Sequence, residues 1–378
     1  MSISDAADAA PVATSEAPDA LSGPLPASPA APPPPLGAPP LQVRRWFDRA
    51  VTTQLPAFDG TLDTARATAA AFARLAKADN TRRAYRAGVA AWCAWCARHA
   101  LPCLPASAAD VVAFLAAERQ RGLAVNTIDL RRAAVRYLHY LAGCAVPTAE
   151  AVVGETLAGM RRDAAQRGEF PVKKLAAAVG VLREILAPIG DDLPGLRDRA
   201  LLLVGFAGAL RRAELAAIRL EHLEPAARGL RLTLPLSKGD RAGTGVSVAL
   251  PLGTTALCPV RALRRWQDAA GLTEGPLFRR IWRPPARGGI PRPPTVGTQP
   301  IDGRTVARIV QARAAAAGYD PAALGGHSLK RGALTTGMDL GVHPARLKRL
   351  GRHRSYAVLD EYLEHGDPFD SHPLSGLL

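Results

Sequence analysis

The sequence has few of the features that mark secreted or membrane proteins. Only five of its 378 residues are cysteine, which is too few for a disulfide scaffold of this size. No run of eighteen uncharged apolar residues occurs outside an alanine- and proline-rich beginning, and no basic segment precedes a leucine-rich core near the N-terminus. We therefore expect no membrane contact, no secretory signal and a location in the cytoplasm.

Basic residues are absent from residues 1–43, where four acidic residues occur, and eleven of the 33 prolines fall within the first 40 residues. Because a stretch rich in proline and alanine cannot bury a core, we predict a disordered tail over residues 1–60. Residues 44–378 then carry all 48 lysines and arginines against 29 of the 33 acids, a surplus of 19. That surplus exceeds what solubility needs, so it favours a nucleic-acid partner over an ordinary solvated surface.

Residues 61–167 have the apolar spacing of short helices joined by proline and glycine turns, which predicts a small all-α domain. Tyr85, Val89 and Trp92, for example, recur at helical spacing after a helix start at Asn80. Arginines near helix N-termini are well placed to contact phosphate. We predict that the following arginines of this domain contact DNA: Arg82, Arg83, Arg86, Arg131, Arg132 and Arg136.

One cysteine pair in this region invites the hypothesis of a metal or redox site. Cys93 and Cys96 form a Cys-x-x-Cys within one tryptophan-rich helix. No second ligand pair follows at the spacing of a zinc ribbon, so we expect the two thiols to pack in the core.

Residues 171–378 are predicted to form a second domain, mostly helical with one β-hairpin, so that the fold class of the chain is α+β. Apolar residues alternate along residues 230–236 and again along residues 246–252, as expected for two half-buried strands. The glycine-rich tip between them carries Lys238. Residues 279–299 are dense in arginine, proline and glycine, which predicts an irregular surface loop.

Four distant segments of the chain contain basic side chains and a closing tyrosine in a definite order. In sequence they are Leu210-Arg211-x-x-Glu214-Leu215, the hairpin residue Lys238, His327-Ser328-Leu329-Lys330, and Leu350-Gly351-Arg352-His353 followed nine residues later by Tyr362. Each segment alone has little specificity, but their order, their spacing and the basic helical domain ahead of them form a specific combination. This combination resembles the tyrosine recombinase (phage integrase) family over about residues 65–365.

The resemblance implies a fold and an activity. The N-terminal helices, with Thr81-Arg82-x-x-Tyr85, look like the SAM-like core-binding domain of the family, and the second domain looks like its catalytic domain. A member of this family is a site-specific recombinase that breaks and rejoins duplex DNA through a 3′-phosphotyrosine. The resemblance also implies a tetramer on two DNA sites, a connection with mobile elements, and association with the nucleoid.

The resemblance further implies a role for each site residue. Tyr362 attacks the scissile phosphate, Arg211 clamps its non-bridging oxygens, and Lys238 protonates the departing 5′-oxygen. His327 hydrogen-bonds the site and is a candidate acceptor of the tyrosine proton, while His353 donates to a phosphate oxygen. Two further arginines near these residues are expected to contact DNA: Arg212 and Arg241.

Elementary chemistry supports this assignment. The pKa of a tyrosine hydroxyl is about 10, so the phenol is a poor nucleophile unless its surroundings stabilise the anion. A cluster of arginine, lysine and histidine does so, and it also stabilises the charge of a phosphodiester in the transition state. The covalent link conserves the energy of the phosphodiester, so no ATP is needed, and no carboxylate cluster indicates a Mg²⁺ site. We therefore expect neither a metal nor a cofactor.

The sequence departs from the family at two positions. Lys330 stands where a second arginine is usual, and Arg331 follows it. Positions three and four after His327 share its face of a helix, so either could reach the phosphate, although lysine cannot make a bidentate contact. We favour Lys330 by register and keep Arg331 as the alternative. The second departure is Gly351-Arg352-His353, where Gly-His is usual.

Other interpretations stay open alongside the recombinase. Lys330 raises the alternative of a DNA-binding protein of the same fold that is catalytically impaired. A type IB topoisomerase-like strand transferase and a metal-dependent nuclease are further alternatives. Singly, Arg211 could form an internal ion pair with Glu214, and Tyr362 could be an ordinary core tyrosine. The match at five positions in order favours the functional interpretation.

Overall fold

The computed structural model describes residues 33–52, 54–57, 59–170, 174–235, 245–285 and 292–363. The chain divides into two units, residues 1–171 and residues 172–378. The described part is mostly helical, with two small antiparallel sheets, as the sequence predicts. Among these residues, no helix combines the length and the apolar character needed to cross a bilayer.

The described part of the first unit contains helices only. The α-helices are α1 (Pro40–Ala50), α2 (Leu62–Leu75), α3 (Asp79–His99), α4 (Ala108–Gln120), α5 (Val125–Ala142) and α6 (Ala151–Gln166), with a short 3₁₀ helix at Pro147–Ala149. Local capping sets several of their ends. The Ser107 hydroxyl accepts a hydrogen bond from the Asp110 amide at 3.0 Å where α4 begins, and α5 ends at Gly143 in the left-handed conformation.

The core of this unit is rich in aromatic side chains. The rings of Trp92 on α3 and Phe114 on α4 are fully buried, with centroids 5.2 Å apart in an edge-to-face arrangement. The Trp92 indole donates a hydrogen bond to the carbonyl oxygen of Cys103 at 3.0 Å, which satisfies its polar atom. Cys93 and Cys96 are buried in the same core, so the prediction of core packing for this pair is confirmed.

Helix α1 corrects the boundary predicted for the N-terminal tail. Val43, Trp46 and Phe47 lie on one face of α1, are at most 4% exposed, and belong to the core of the first unit. The prediction of disorder through residue 60 is therefore wrong for residues 40–50. The apolar face of α1 outweighs the proline-rich composition around it, because burying two aromatic rings stabilises an ordered helix. Residues 1–32 lie outside the described residues.

The second unit combines helices and strands. Its described helices are α7 (Val179–Leu186), α8 (Leu193–Ala207), α9 (Arg212–Ala216), α10 (Pro259–Ala270), α11 (Gly303–Ala316), α12 (Ser328–Asp339), α13 (Pro344–Gly351) and α14 (Tyr356–Asp360), with a short 3₁₀ helix at Leu220–His222. Its described strands are β1 (Leu223–Ala226), β2 (Gly229–Leu234), β3 (Val246–Pro251), β4 (Arg279–Trp282) and β5 (Thr295–Pro300). Residues 201–204 of α8 are all at most 1% exposed, so this helix is surrounded by the core.

Strands β2 and β3 form the predicted hairpin. They pair antiparallel with Leu232 opposite Val248, and both side chains are buried. Strand β1 pairs with the other edge of β2, which gives a three-stranded antiparallel sheet. The alternation read from the sequence is therefore confirmed. The tip of the hairpin, residues 236–244 with Lys238 and Arg241, lies outside the described residues.

Strands β4 and β5 overturn the irregular loop predicted at residues 279–299. They pair antiparallel, with Ile281 opposite Val296 and Trp282 opposite Thr295. Ile281 packs against the core while Trp282 is 59% exposed, which is the two-sided pattern of a surface ribbon. The prediction was wrong because arginine and proline dominate the composition around two strands that are only a few residues long.

A second, small core in this unit joins α12, α13 and α14. Leu334, Leu347, Leu359 and Leu363 are buried together, and Tyr362 packs against them half-buried. Four leucines thus hold together the helix that carries Lys330 and the two helices that directly precede His353 and Tyr362.

Candidate active site

The turn between α8 and α9 positions Arg211. Its backbone amide donates to Oε2 of Glu214 at 2.8 Å, and its Nη1 donates to Oε1 of the same carboxylate at 2.8 Å. The side chain of Glu214 is 5% exposed and that of Arg211 is 16% exposed. The carboxylate therefore caps the start of α9 and holds the guanidinium, which keeps a small surface open to solvent. The internal ion pair considered from the sequence is present.

A second guanidinium reaches Glu214 from a segment near the end of the described chain. Arg352 follows α13, has a side chain that is 6% exposed, and donates to Oε2 of Glu214 at 2.9 Å. It also donates to the carbonyl oxygens of Gly208 at 3.0 Å and Ala209 at 2.7 Å. Burial raises the pKa of Glu214, but Arg352 and Arg211 outweigh it, so the pKa lies below its ordinary value and the carboxylate is ionised.

Lys330 lies in α12 with no exposed surface. Its Nζ donates to the carbonyl oxygen of Gly351 and lies 5.3 Å from the centroid of the Tyr362 ring. Burial, reinforced by the positive charges of Arg211 and Arg352, lowers the pKa of Lys330 to about 6. The lysine is therefore mostly neutral at neutral pH as long as no anion enters the site.

His353 and Tyr362 face each other as an edge-to-face pair, with ring centroids 4.5 Å apart and planes at 71°. His353 is 7% exposed, and neither of its ring nitrogens meets the geometry of a hydrogen bond with any described residue. Burial is the main cause that lowers the pKa of His353 to about 4; the charge of Lys330 adds to it and the backbone of Val358 opposes it. Because a buried imidazole without a partner is unfavourable, this ring is prepared to bond a ligand.

Gly351 makes this arrangement possible. A Cβ atom built on Gly351 would lie 2.7 Å from Cδ2 and 2.8 Å from Nε2 of His353, which is closer than nonbonded atoms approach. The carbonyl oxygen of the same residue accepts the hydrogen bond of Lys330. One glycine thus gives room to the imidazole and anchors the lysine.

Arg331, the alternative to Lys330, points elsewhere. It is 6% exposed and donates to the carbonyl oxygen of Lys174 and, at 3.4 Å, to that of Tyr362. Its guanidinium therefore bonds backbone oxygens, whereas the ammonium of Lys330 faces the tyrosine ring.

His327 precedes α12 and is exposed. A Cβ atom built on the neighbouring Gly326 would lie 2.8 Å from the Cβ atom of Arg212. Arg212, like His327, is exposed. This close approach brings the start of α12 beside the start of α9, next to Arg211. The structure brings together Arg211, Lys330, His353 and Tyr362, with His327 at the margin of the cluster. Lys238 and Arg241 lie outside the described residues.

The arginines predicted to contact DNA in the first unit differ in their surroundings. The side chain of Arg82 is only 12% exposed, and its Nη1 donates to the carbonyl oxygens of Arg74 at 3.1 Å and Lys77 at 2.8 Å, near the end of α2. Arg131 is 22% exposed and donates to the carbonyl oxygen of Ala87. The other four are exposed or partly exposed: Arg83, Arg86, Arg132 and Arg136.

Sequence reasoning missed the contribution of Arg352 and treated Glu214 only as a competitor for Arg211. One signal was available, since Arg352 is the additional residue between Gly351 and His353. In the part of the chain that the structure describes, no group of three or more histidine, cysteine, aspartate or glutamate side chains is arranged to hold a metal ion.

Sequence comparison finds relatives along most of the chain. A family model described as phage integrase, N-terminal SAM-like domain, matches residues 72–142. An integrase/recombinase of Selenomonas ruminantium, a xerD homolog, is 32% identical over 305 residues, which cover 79% of this chain and 85% of the relative. The recombinase Cre of Escherichia phage P1 is 25% identical over 273 residues, which cover 69% of this chain and 77% of the relative.

Comparison with solved structures finds the same fold. The post-cleavage complex of the site-specific recombinase XerH with a palindromic difH substrate superposes with a TM-score of 0.58 at 11% identity, covering 91% of this chain and 98% of XerH. The Tn1549 transposon integrase in complex with transposon right end DNA superposes with a TM-score of 0.54 at 14% identity, covering 81% of this chain and 95% of the integrase. At these identities the likeness shows the fold.

Proposed function

The chain belongs to the tyrosine recombinase (phage integrase) family, and we propose that it breaks and rejoins duplex DNA at specific sites through a 3′-phosphotyrosine on Tyr362. One observation carries the assignment of the site: Tyr362, His353, Lys330 and Arg211 come from distant parts of the chain and meet in one cluster. A phenol surrounded by cationic and hydrogen-bonding groups is what attack on a phosphodiester requires.

Strand cleavage forms a bond between the Tyr362 oxygen and the scissile phosphorus. The phenol loses its proton, for which His327 is the proposed acceptor, and its oxygen attacks the phosphorus. The bond from phosphorus to the 5′-oxygen of the next nucleotide breaks, and that oxygen takes a proton from Lys238, the proposed general acid. The attack exchanges one phosphodiester for another, so the step needs no external energy source.

The negative charge of the phosphate is stabilised by three groups of the cluster. Arg211 presents a planar fork that suits two oxygens of a phosphate. His353 is neutral, so the one ring nitrogen that carries a proton can donate to a phosphate oxygen. We favour Lys330 over Arg331 as the third group, because the ammonium of Lys330 lies over the Tyr362 ring, whereas the guanidinium of Arg331 is directed at the carbonyl oxygens of Lys174 and Tyr362. A phosphate beside Lys330 raises the pKa of the ammonium and keeps it charged.

Rejoining reverses this chemistry. A 5′-hydroxyl from a partner strand attacks the phosphorus of the phosphotyrosine, the bond to the tyrosine oxygen breaks, and Tyr362 regains its proton.

Exchange between two duplexes requires four strands to be cut, so we propose a tetramer on two DNA sites, in the nucleoid. The proposed contacts outside the cluster are Arg83, Arg86, Arg132, Arg136, Arg212 and Arg241. The relatives support DNA as partner, since XerH was solved with a difH substrate and the Tn1549 integrase with transposon right end DNA.

Trapping of the covalent intermediate tests the proposal. Protein-linked DNA is recovered under denaturing conditions from cells that express the full chain, and its sequence identifies the site. A nicked duplex with that site then traps the intermediate, because the short cleaved strand diffuses away. We expect an adduct with the wild-type chain and none with Tyr362→Phe. Tyr356→Phe is the matched control, since Tyr356 is a 53% exposed tyrosine on α14 and should leave the rate unchanged.

Adduct trapping, together with measurements of DNA binding, relaxation and sensitivity to EDTA, separates the alternatives. Binding of the site without any adduct identifies a catalytically impaired DNA-binding protein. Relaxation of supercoiled DNA with no exchange of strands between sites identifies a topoisomerase-like enzyme. Cleavage that EDTA abolishes identifies a metal-dependent nuclease and contradicts the tyrosine mechanism.

A further inference from the structure

Arg352 has a backbone conformation that arginine rarely adopts. It has φ 53° and ψ 47°, in the left-handed region, at the end of α13. For a residue with a Cβ atom this region is unfavourable, and glycine would occupy it without that penalty. The arginine must therefore provide something that compensates for its backbone.

The side chain of Arg352 supplies the compensation through an unusual number of contacts. Its Nη1 donates to the carbonyl oxygens of Gly208 and Leu350, both at 3.0 Å. Its Nη2 donates to the carbonyl oxygen of Ala209 at 2.7 Å and to Oε2 of Glu214 at 2.9 Å. One buried guanidinium thus joins the end of α13 to the turn between α8 and α9.

Both ends of this connection carry candidate catalytic residues. Oε2 of Glu214 accepts from Arg352 and also from the backbone amide of Arg211, so the two arginines share one carboxylate oxygen. On the other side, His353 follows Arg352 directly in the chain. A shift of the guanidinium would move the Arg211 turn and the His353 ring relative to each other.

We propose that Arg352 is a positioning residue, which fixes the distance between Arg211 and His353 through Glu214 and so preorganises the site for the phosphate. This role rests on the proposed function. Arg352 itself is not proposed as a phosphate ligand, because Nη1 and Nη2, the two nitrogens of its fork, are occupied by protein oxygens, and only the buried Nε has no hydrogen-bond partner among the described residues. The hydrogen bonds of the Arg352 side chain compensate for the cost of the left-handed backbone at this residue.

The variant Arg352→Gly tests the role of the side chain, because glycine adopts the same backbone conformation without penalty. Its matched control is Ala100→Gly, which relieves a left-handed residue with φ 53° at the end of α3 in the first unit. Adduct formation on the nicked duplex is measured in a single turnover, and DNA affinity is measured by titration. We expect Arg352→Gly to form the adduct about a hundredfold more slowly, with unchanged DNA affinity, and Ala100→Gly to behave as wild type.

Chemical rescue distinguishes positioning from general support of the fold. Millimolar ethylguanidinium, added to Arg352→Gly, should restore part of the rate of adduct formation without changing DNA affinity. A purely structural role predicts no recovery. If Arg352→Gly does not fold, as judged by circular dichroism, Arg352→Lys decides: it keeps the charge and loses the fork, so positioning predicts slow cleavage with normal DNA affinity.

Three results would overturn the inference. The first is a wild-type rate of adduct formation for Arg352→Gly or, if that variant does not fold, for Arg352→Lys. The second is a loss of DNA affinity as large as the loss of rate, and the third is a slow Arg352→Gly that ethylguanidinium does not accelerate. These results are distinct from failure of the proposed function. In that case the wild-type chain forms no adduct, or Tyr362→Phe forms it equally well.

Discussion

The cationic side chains considered above have different surroundings in the two units. In the first unit, arginines such as Arg83 and Arg132 lie at the surface and contact nearby polar side chains, Asn80 at 3.3 Å and Asp129 at 2.8 Å. In the second unit, several cationic groups are buried around the single carboxylate of Glu214. Positive charges at a surface attract the phosphates of DNA, whereas buried cationic groups have perturbed pKa values and are suited to chemistry. The variants below test this difference.

The largest effect is expected at Lys330. Lys330→Met keeps the volume of the side chain and removes its charge, so the phosphate loses a preorganised partner in the transition state. We expect adduct formation to slow by about 100- to 1,000-fold, while DNA affinity changes little. Lys348→Met, which removes another lysine of the same unit from α13, is the control and should cleave normally. Equal losses for the two variants would show that charge anywhere in this unit is sufficient.

The same substitution should stabilise the free protein, and the sign follows from linkage. The pKa of Lys330 is about 6 in the folded chain and 10.5 as the ordinary value, so between these pH values the unfolded chain binds a proton that the folded chain does not. The stability of the wild type relative to Lys330→Met therefore rises with pH through this window. We expect the variant to be more stable by about 1–4 kcal/mol near pH 6, with the advantage decreasing towards pH 10.

Denaturant unfolding of the two proteins at pH 6 and pH 9 measures this difference. A stability difference that is the same at both pH values would contradict a lowered pKa for Lys330 in the folded chain. DNA binding provides an independent check: if a phosphate recharges the lysine, complex formation takes up a proton at pH 8, which calorimetry in buffers of different ionisation enthalpy detects.

The smallest effects are expected in the first unit, where two adjacent arginines should behave differently. Arg83→Ala should weaken DNA binding on every sequence and reduce the slope of log affinity against log salt by about 1. Arg82→Ala should leave that slope unchanged and lower the melting temperature instead, because Arg82 bonds the carbonyl oxygens of Arg74 and Lys77. Titrations at several salt concentrations and thermal melts of both variants measure the two outcomes, and a reversal between them would refute the assignment.

The sequence was sufficient where function and fold depend on regular spacing. Alternating apolar residues predict β2 and β3, and the order of the basic segments selects Arg211, Lys330, His353 and Tyr362, which lie close together in the structure. The strand signal is local, since its period is contained within a few residues, whereas the site signal lies in the order of several short motifs along the chain.

The sequence was insufficient where a side chain could turn in either of two directions. A helical period places Arg82 on a face but does not say that it bonds the end of α2 rather than solvent. Arg352 meets Glu214 across 138 positions of the chain, and nothing local to either residue specifies that contact. Strands β4 and β5 were missed for a related reason. Their antiparallel pairing stabilises them, and the composition of either segment alone does not indicate that pairing.

The four-leucine core under Tyr362 has a consequence for motion. Leu334, Leu347, Leu359 and Leu363 form a cluster of their own, separate from the large apolar interior built around α8. Opening this cluster exposes far less apolar surface than melting the whole unit, so its free energy of opening is correspondingly small. We therefore expect the segment that carries Tyr362 to open more readily than the rest of this unit, and its amides to exchange hydrogen for deuterium sooner than those of α8.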